Sequence, residues 1–181
     1  MRSTFESSRD GFVATVTVAS VVLLGAFGGL LLIVGLTRPA PLGVRIVSSG
    51  SGIMCLGILV GTWLFCPRRF CLTAHEIVVE RPAGDVAIAL ASVRGVELLD
   101  PRFSVTWRTF GSGGLFGVFG TFFSGTLGTL QVYGRRSRGG VLLRTDGDNV
   151  VLRPDDPEAF VREVSAALGR GAGRAPANPR A

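Results

Sequence analysis

The chain has 181 residues, 47% of them hydrophobic and only 18% charged, with mean hydropathy +0.45 and a formal net charge of +6. A soluble domain averages about a quarter charged residues, and the deficit here is concentrated in the first third, so the front of the chain does not read as a water-exposed globular surface. One histidine and three cysteines leave little room for a histidine-based nucleophile site, and a basic balance beside long apolar runs points to an anionic membrane surface more than to nucleic acid.

Residues 1–10 read as an N-terminal tail and residues 11–66 as a two-helix hairpin. Span one covers residues 11–36 and is free of charge throughout. A bilayer core about 30 Å thick needs about 20 helical residues, which this stretch supplies. A cleaved signal peptide would have a shorter apolar region, and a second span at residues 46–65 argues against secretion. Trp63 lies near the end of that span, where an indole sits at headgroup level. Pro67 then stops the helix, and Arg68 and Arg69 mark the aqueous boundary. The ends of the hairpin carry Arg2, Arg9, Arg68 and Arg69, the connecting loop Arg38 and Arg45. The positive-inside rule therefore places both termini in the cytoplasm, with the protein multi-pass in the cytoplasmic membrane. Gly25 with Gly29 and Gly57 with Gly61 form small-xxx-small pairs that allow close helix approach. They are expected either to pack the hairpin on itself or to join two protomers.

From residue 69 the pattern changes to short alternating runs, and residues 69–169 read as one domain. Strands are expected at residues 70–73, 76–81, 86–90, 93–99, 103–110, 129–133, 141–144 and 149–152, rich in β-branched and aromatic residues. Asp146-Gly147 is a hairpin signal. Asp156 is placed to cap a last helix with Pro157 at its first position. Phe160, Val164, Ala167 and Leu168 share its apolar face, and Gly169 is expected to end it. Residues 170–181 are Gly, Pro, Ala and Arg, the composition of a disordered tail.

Four motifs carry a resemblance. Residues 72–79 (LTAHEIVV), residues 86–93 (VAIALASV) leading to Val96-Glu97, the cassette FGSGGLFGVFG at residues 110–120, and RPDDPEAF at residues 153–160 together resemble the bacterial pleckstrin-homology (PH)-like domains that follow one or two membrane spans. The resemblance implies a transmembrane α-helical hairpin followed by a PH-like barrel, with about seven antiparallel strands and a C-terminal capping helix. It implies no defined ligand and no functional residue. The element order alone also allows other small β-barrels.

The cassette invites other readings. Nucleotide binding fails because Gly-Lys-Ser/Thr is missing and no third glycine stands at the dinucleotide spacing. A third span, permitted by the uncharged stretch between Arg108 and Arg135, is a poor apolar helix because of its glycines. That span stays open beside two further readings. In one, the glycines permit tight backbone approach while the phenylalanines fill a core. In the other, Leu115, Phe116, Phe119, Phe122 and Phe123 dip into the membrane with Arg108, Arg135, Arg136 and Arg138 over its phosphates.

No cofactor or metal is expected. Cys66, Cys71 and His75 lack a second cysteine pair, Cys55 lies in a span, and Asp146, Asp148, Asp155 and Asp156 fit a turn and a helix cap instead of a Ca²⁺ loop. The sequence reads as a non-enzymatic binding or scaffolding module, with anionic phospholipid, a protein partner or a second copy as candidate partners. An interaction adaptor is the alternative, and a membrane enzyme or transport subunit a more distant one.

Overall fold

A computed structural model describes residues 3–103, 107–125 and 127–172. A short strand, β1 (Ser3–Glu6), precedes two long helices, α1 (Gly11–Thr37) and α2 (Leu42–Phe65). Then follow β2 (Arg69–Leu72), β3 (Glu76–Glu80), β4 (Val86–Ala89), a 3-10 turn (Leu90–Ser92), β5 (Val93–Leu98), β6 (Trp107–Gly113), β7 (Val118–Ser124), β8 (Gly128–Gly134), β9 (Val141–Thr145), β10 (Asn149–Arg153) and α3 (Pro157–Ala172). Asp156 caps α3 as its sequence predicts, its Oδ1 accepting from the Ala159 N–H at 2.8 Å. The helix continues past Gly169 to Ala172, and the rest of the expected disordered tail lies outside the described residues.

The expected barrel is not formed. The strands make two open sheets, one ordered β1-β2-β3-β4 and the other β5-β9-β10-β8-β7-β6. The 3-10 turn separates β4 from β5, and no ladder joins the sheets among the described residues. The pairing is not wholly antiparallel either, because β10 runs parallel to β8. A barrel closes to hide one apolar face. Here the six-stranded sheet is apolar on both faces, and different elements cover each. β9 and β10 read VLL and VVL without alternation, the pattern of strands buried on both sides. Val141, Leu143, Val150 and Leu152 join Phe70, Ile77 and Val79 of the four-stranded sheet and Phe160 and Val164 of α3 in one core. Leu142 and Val151 point the other way, joining Val118, Phe122, Leu130, Val132 and Val13 of α1 in a second.

Residues 3–6 are thus part of the sheet and not a tail. Phe5 stacks edge-on against Phe160 with ring centroids 5.0 Å apart, and the Ser7 hydroxyl donates to the Arg153 carbonyl at 2.8 Å.

The two long helices pack through small residues, but not the expected ones. A Cβ on Gly52 would lie 2.7 Å from the Gly28 carbonyl oxygen and from Leu32, and one on Gly28 would lie 2.9 Å from the Cys55 Cβ. Gly35 faces Ser49 in the same way. Gly25, Gly29, Gly57 and Gly61 meet nothing within 4 Å. Their expected role in packing the hairpin on itself is therefore overturned: the seam follows Gly28 and Gly35, seven residues apart on another stripe of α1. Away from the seam both helices present apolar side chains outward, with Leu23 69%, Ile33 61% and Val47 68% exposed.

Candidate functional site

The glycine–phenylalanine cassette is a β-hairpin. Gly111 and Gly120 sit opposite each other in the β6–β7 ladder, with φ of 117° and 116°. A Cβ on Gly111 would run into the Phe119 carbonyl, and one on Gly120 into the Phe110 carbonyl. Only glycine tolerates both the backbone conformation and the approach. At the tip, the Ser112 hydroxyl donates to the Leu115 carbonyl at 2.8 Å, and Phe116 adopts φ 61°. The tip is seated on α1: the Phe116 N–H donates to Thr17 Oγ1 at 2.9 Å, and Gly114 lies against Phe12 and Val16.

The aromatic residues proposed from sequence separate accordingly. Phe119 and Phe122 are 7% and 3% exposed and fill the interior. Leu115 and Phe116 are half-buried at the tip. Phe123 is exposed, paired across strands with Trp107. Trp107 and Phe110, 71% and 79% exposed, complete a surface trio that sequence reasoning did not single out. The expected strand at residues 103–110 falls partly on residues 104–106, outside the described residues.

Of the proposed arginines, Arg108 extends along β6 toward Gly113, while Arg135, Arg136 and Arg138 belong to the loop between β8 and β9. That loop is held by two side chains. Arg153, only 1% exposed, donates to the Gly139 and Arg136 carbonyls at 3.0 and 2.7 Å. Burial lowers its pKa to about 10, Asp10 opposing the shift. Asp10, the N-cap of α1, accepts from Ser137 of the same loop.

The loop therefore borders the place where both long helices join the domain, and the structure gathers further charge there. Arg9 lies 5.6 Å from the Phe116 ring centre, Arg68 5.0 Å from Trp63 and Arg81 5.6 Å from Phe65. The Ala83 N–H donates to the Leu64 carbonyl at the end of α2. Cys66, 3% exposed, sits among Arg135, Arg9 and Arg68. Burial pushes its thiol up despite those three cations. Arg9 is lowered, first by burial and then by repulsion from Arg135. The sequence signal for this cluster was the placement of Arg9-Asp10 and Arg68-Arg69 at the two helix ends.

Among the described residues no group of three or more His, Cys, Asp or Glu is arranged to hold a metal ion, and Cys55, Cys66 and Cys71 are free. Residues 68–168 match the family model of the bacterial PH domain. The chain belongs to the bacterial PH domain family. Domains of this kind are non-catalytic scaffolds. The match begins just after α2, so β1 and the first turns of α1 are additions that this chain packs against its PH domain. No curated protein and no solved structure matches the chain.

Proposed function

We propose that α1 and α2 cross the cytoplasmic membrane as a hairpin and hold the PH domain at its cytoplasmic face as a binding or scaffolding module. The observation that carries this reading is the exposed apolar surface around both helices, beside a domain that meets them at their common end through Thr17 and Leu64. A water-facing patch on that scale is not what monomeric soluble proteins show. The first two turns of α1 are occupied by the domain, through Val13 and Thr17. The 20 residues left, 18–37, span about 30 Å of hydrocarbon. The arginines at the hairpin ends favour the cytoplasm for both termini.

A lipid-facing role is supported by the half-buried Leu115 and Phe116, carried beside the helix base with Arg135, Arg136 and Arg138 in the neighbouring loop. An adaptor role is the second reading, favoured by the exposed Trp107, Phe110 and Phe123 beside the open edge of β6. Gly25, Gly29, Gly57 and Gly61, open on the outside of the hairpin, suit close approach by a helix of a second copy.

The anchor is tested by single-cysteine labelling of the full chain in intact cells. Arg38→Cys in the loop should react with an impermeant maleimide, and Asp148→Cys on the β9–β10 turn only after lysis. The reverse pattern would invert the topology, and recovery of the protein in the soluble fraction would remove the anchor.

A further inference from the structure

A cleft of about 610 Å³ opens beside the end of α2, walled by Arg68, Arg81, Pro82, Arg135, Ser7 and Ser8. Its carboxylates are engaged within the protein. Glu6 lies 3.6 Å from Arg69, Asp85 accepts from the Arg81 N–H, and Glu80 accepts from the Cys71 thiol at 3.0 Å. The arginines are not matched in this way. No ion pair holds Arg9, Arg68 or Arg135 among the described residues, and Arg9 lies close enough to Arg135 and Arg68 to be repelled by both. The Arg135 guanidinium reaches the Cys66 thiol, but its Nε is buried with no hydrogen-bond partner. A buried donor left unpaired is costly, and the guanidiniums of Arg68 and Arg135 on the cleft wall, with Arg9 near Arg135 behind it, form a site for an oxyanion.

We propose that this cleft binds a phosphate group, with the phosphodiester of an anionic membrane lipid as the source that its position favours. The inference rests on the reading that α1 and α2 span the bilayer. On that reading Trp63 and Phe65 lie at the water boundary, and the arginines stacked on them stand at the depth of the lipid phosphates. Arg135 would fork onto two phosphate oxygens, Arg68 would approach from the α2 side, and Arg9 would neutralise the remaining charge from behind. Phosphate would also relieve the crowding of three like charges, so binding and the local fold are coupled.

The test uses the full chain in neutral detergent with Trp107→Phe, which leaves Trp63 as the one remaining tryptophan of two. Phosphatidylglycerol, phosphatidylcholine of the same chain length and inorganic phosphate are titrated while Trp63 emission is followed. Phosphatidylglycerol should saturate the response at a mole fraction at least tenfold below phosphatidylcholine, and Arg9→Gln with Arg135→Gln should abolish that preference. Arg94→Gln with Arg144→Gln, exposed arginines paired to Asp146 and Glu97 away from the cleft, should retain it. Pro82→Glu, an exposed substitution on the cleft wall, should weaken the lipid at least threefold without disturbing the fold. Saturation by inorganic phosphate with the same arginine dependence would support the site and assign it to free phosphate. Equal responses to the two lipids, or a preference that survives in the folded double and Pro82→Glu variants, would overturn it. Alkaline carbonate extraction of native membranes reports on the anchor separately: release of the protein would remove the spanning reading while leaving the phosphate result to stand on its own.

Discussion

Asp10 Oδ2 accepts from both the N–H and the hydroxyl of Ser137 at 2.6 Å, while its Oδ1 accepts from the Val13 N–H at 2.9 Å. One carboxylate thus caps α1 and ties the arginine-bearing loop to the helix base. Burial pushes its pKa up, but the hydrogen bonds from Ser137 and Val13 outweigh it and hold the group below the usual carboxylate range. A depressed folded-state pKa means that the stabilisation is complete above the unfolded value, near pH 4, and is lost as pH falls through the folded value. Asp10→Asn keeps the cap but turns an NH₂ toward the Ser137 N–H, and should cost about 1 kcal/mol at pH 7 in thermal melts of the full chain. It should also flatten the stability loss below about pH 4. An unchanged melt would show that Ser137 finds another partner.

The PH domain borrows part of its core from β1 and the first turn of α1. Phe5 covers Phe160, and Val13, with no exposed surface, fills the second core. Phe5→Ala should cost about 1–3 kcal/mol and Val13→Ser about 2–4 kcal/mol in the full chain. A fragment of residues 68–174 should melt lower than the same domain in the intact protein and bind a hydrophobic dye. Identical melts would mean that these contacts add nothing to the domain.

Gly111→Ala and Gly120→Ala should each destabilise by more than about 2 kcal/mol, because the new methyl meets a carbonyl at a positive φ. Gly125→Ala, in open space, should stay within about 0.5 kcal/mol of the parent. Chemical denaturation of the three variants separates a conformational requirement from a general intolerance of the hairpin.

The helix seam gives an internal control of the same kind. Gly52→Leu would drive a side chain into the Gly28 backbone and should lower the melting temperature of the protein in detergent by several degrees, an overpacking cost of about 1–3 kcal/mol. Gly57→Leu places its Cβ in open space and should leave the monomer unchanged. A shift to smaller particles in the Gly57→Leu variant would reveal a second copy on that face.

The elements that the sequence made plain are those decided by local chemistry. The Asp156-Pro157 start of α3, the Asp146-Gly147 turn between β9 and β10, and the two long apolar helices each follow from a few neighbouring residues. The closed barrel did not survive because closure depends on which long-range edges meet, and the alternation in β4 or β5 does not encode that. The role of β1 was hidden for a similar reason: STFE is too short to read as a strand, and it forms one only by pairing with β2, more than sixty residues away. Arg153 looked like part of a turn motif. Its burial arises from the glycines it lies on, Gly134 and Gly140, which the sequence does not place beside it. The glycines of the membrane-length helices were legible as small residues but not as a seam, because helical phase relative to a partner is a property of the pair.

The same difficulty decides which aromatics are worth mutating. Within FGVFGTFF, residues 116–123, the alternation of strand faces was obscured by phenylalanine on both sides of β7. Phe119 and Phe122 are interior, so Phe119→Ser should unfold the domain, with a cost of about 3–5 kcal/mol for losing a buried ring. It would report nothing about binding. Trp107, Phe110 and Phe123 are exposed, and ordering three aromatic rings at a surface without a partner gains no burial. Trp107→Ser, Phe110→Ser and Phe123→Ser combined should leave the melt within about 1 kcal/mol of the parent. If the trio is a contact surface, the triple variant should lose whatever co-purifies with the full chain from detergent-solubilised membranes, while the lipid preference at the arginine cleft stays intact. Loss of the lipid preference together with the co-purifying protein would join the two surfaces into one. A triple variant that keeps both would leave the edge of β6 with no role in binding.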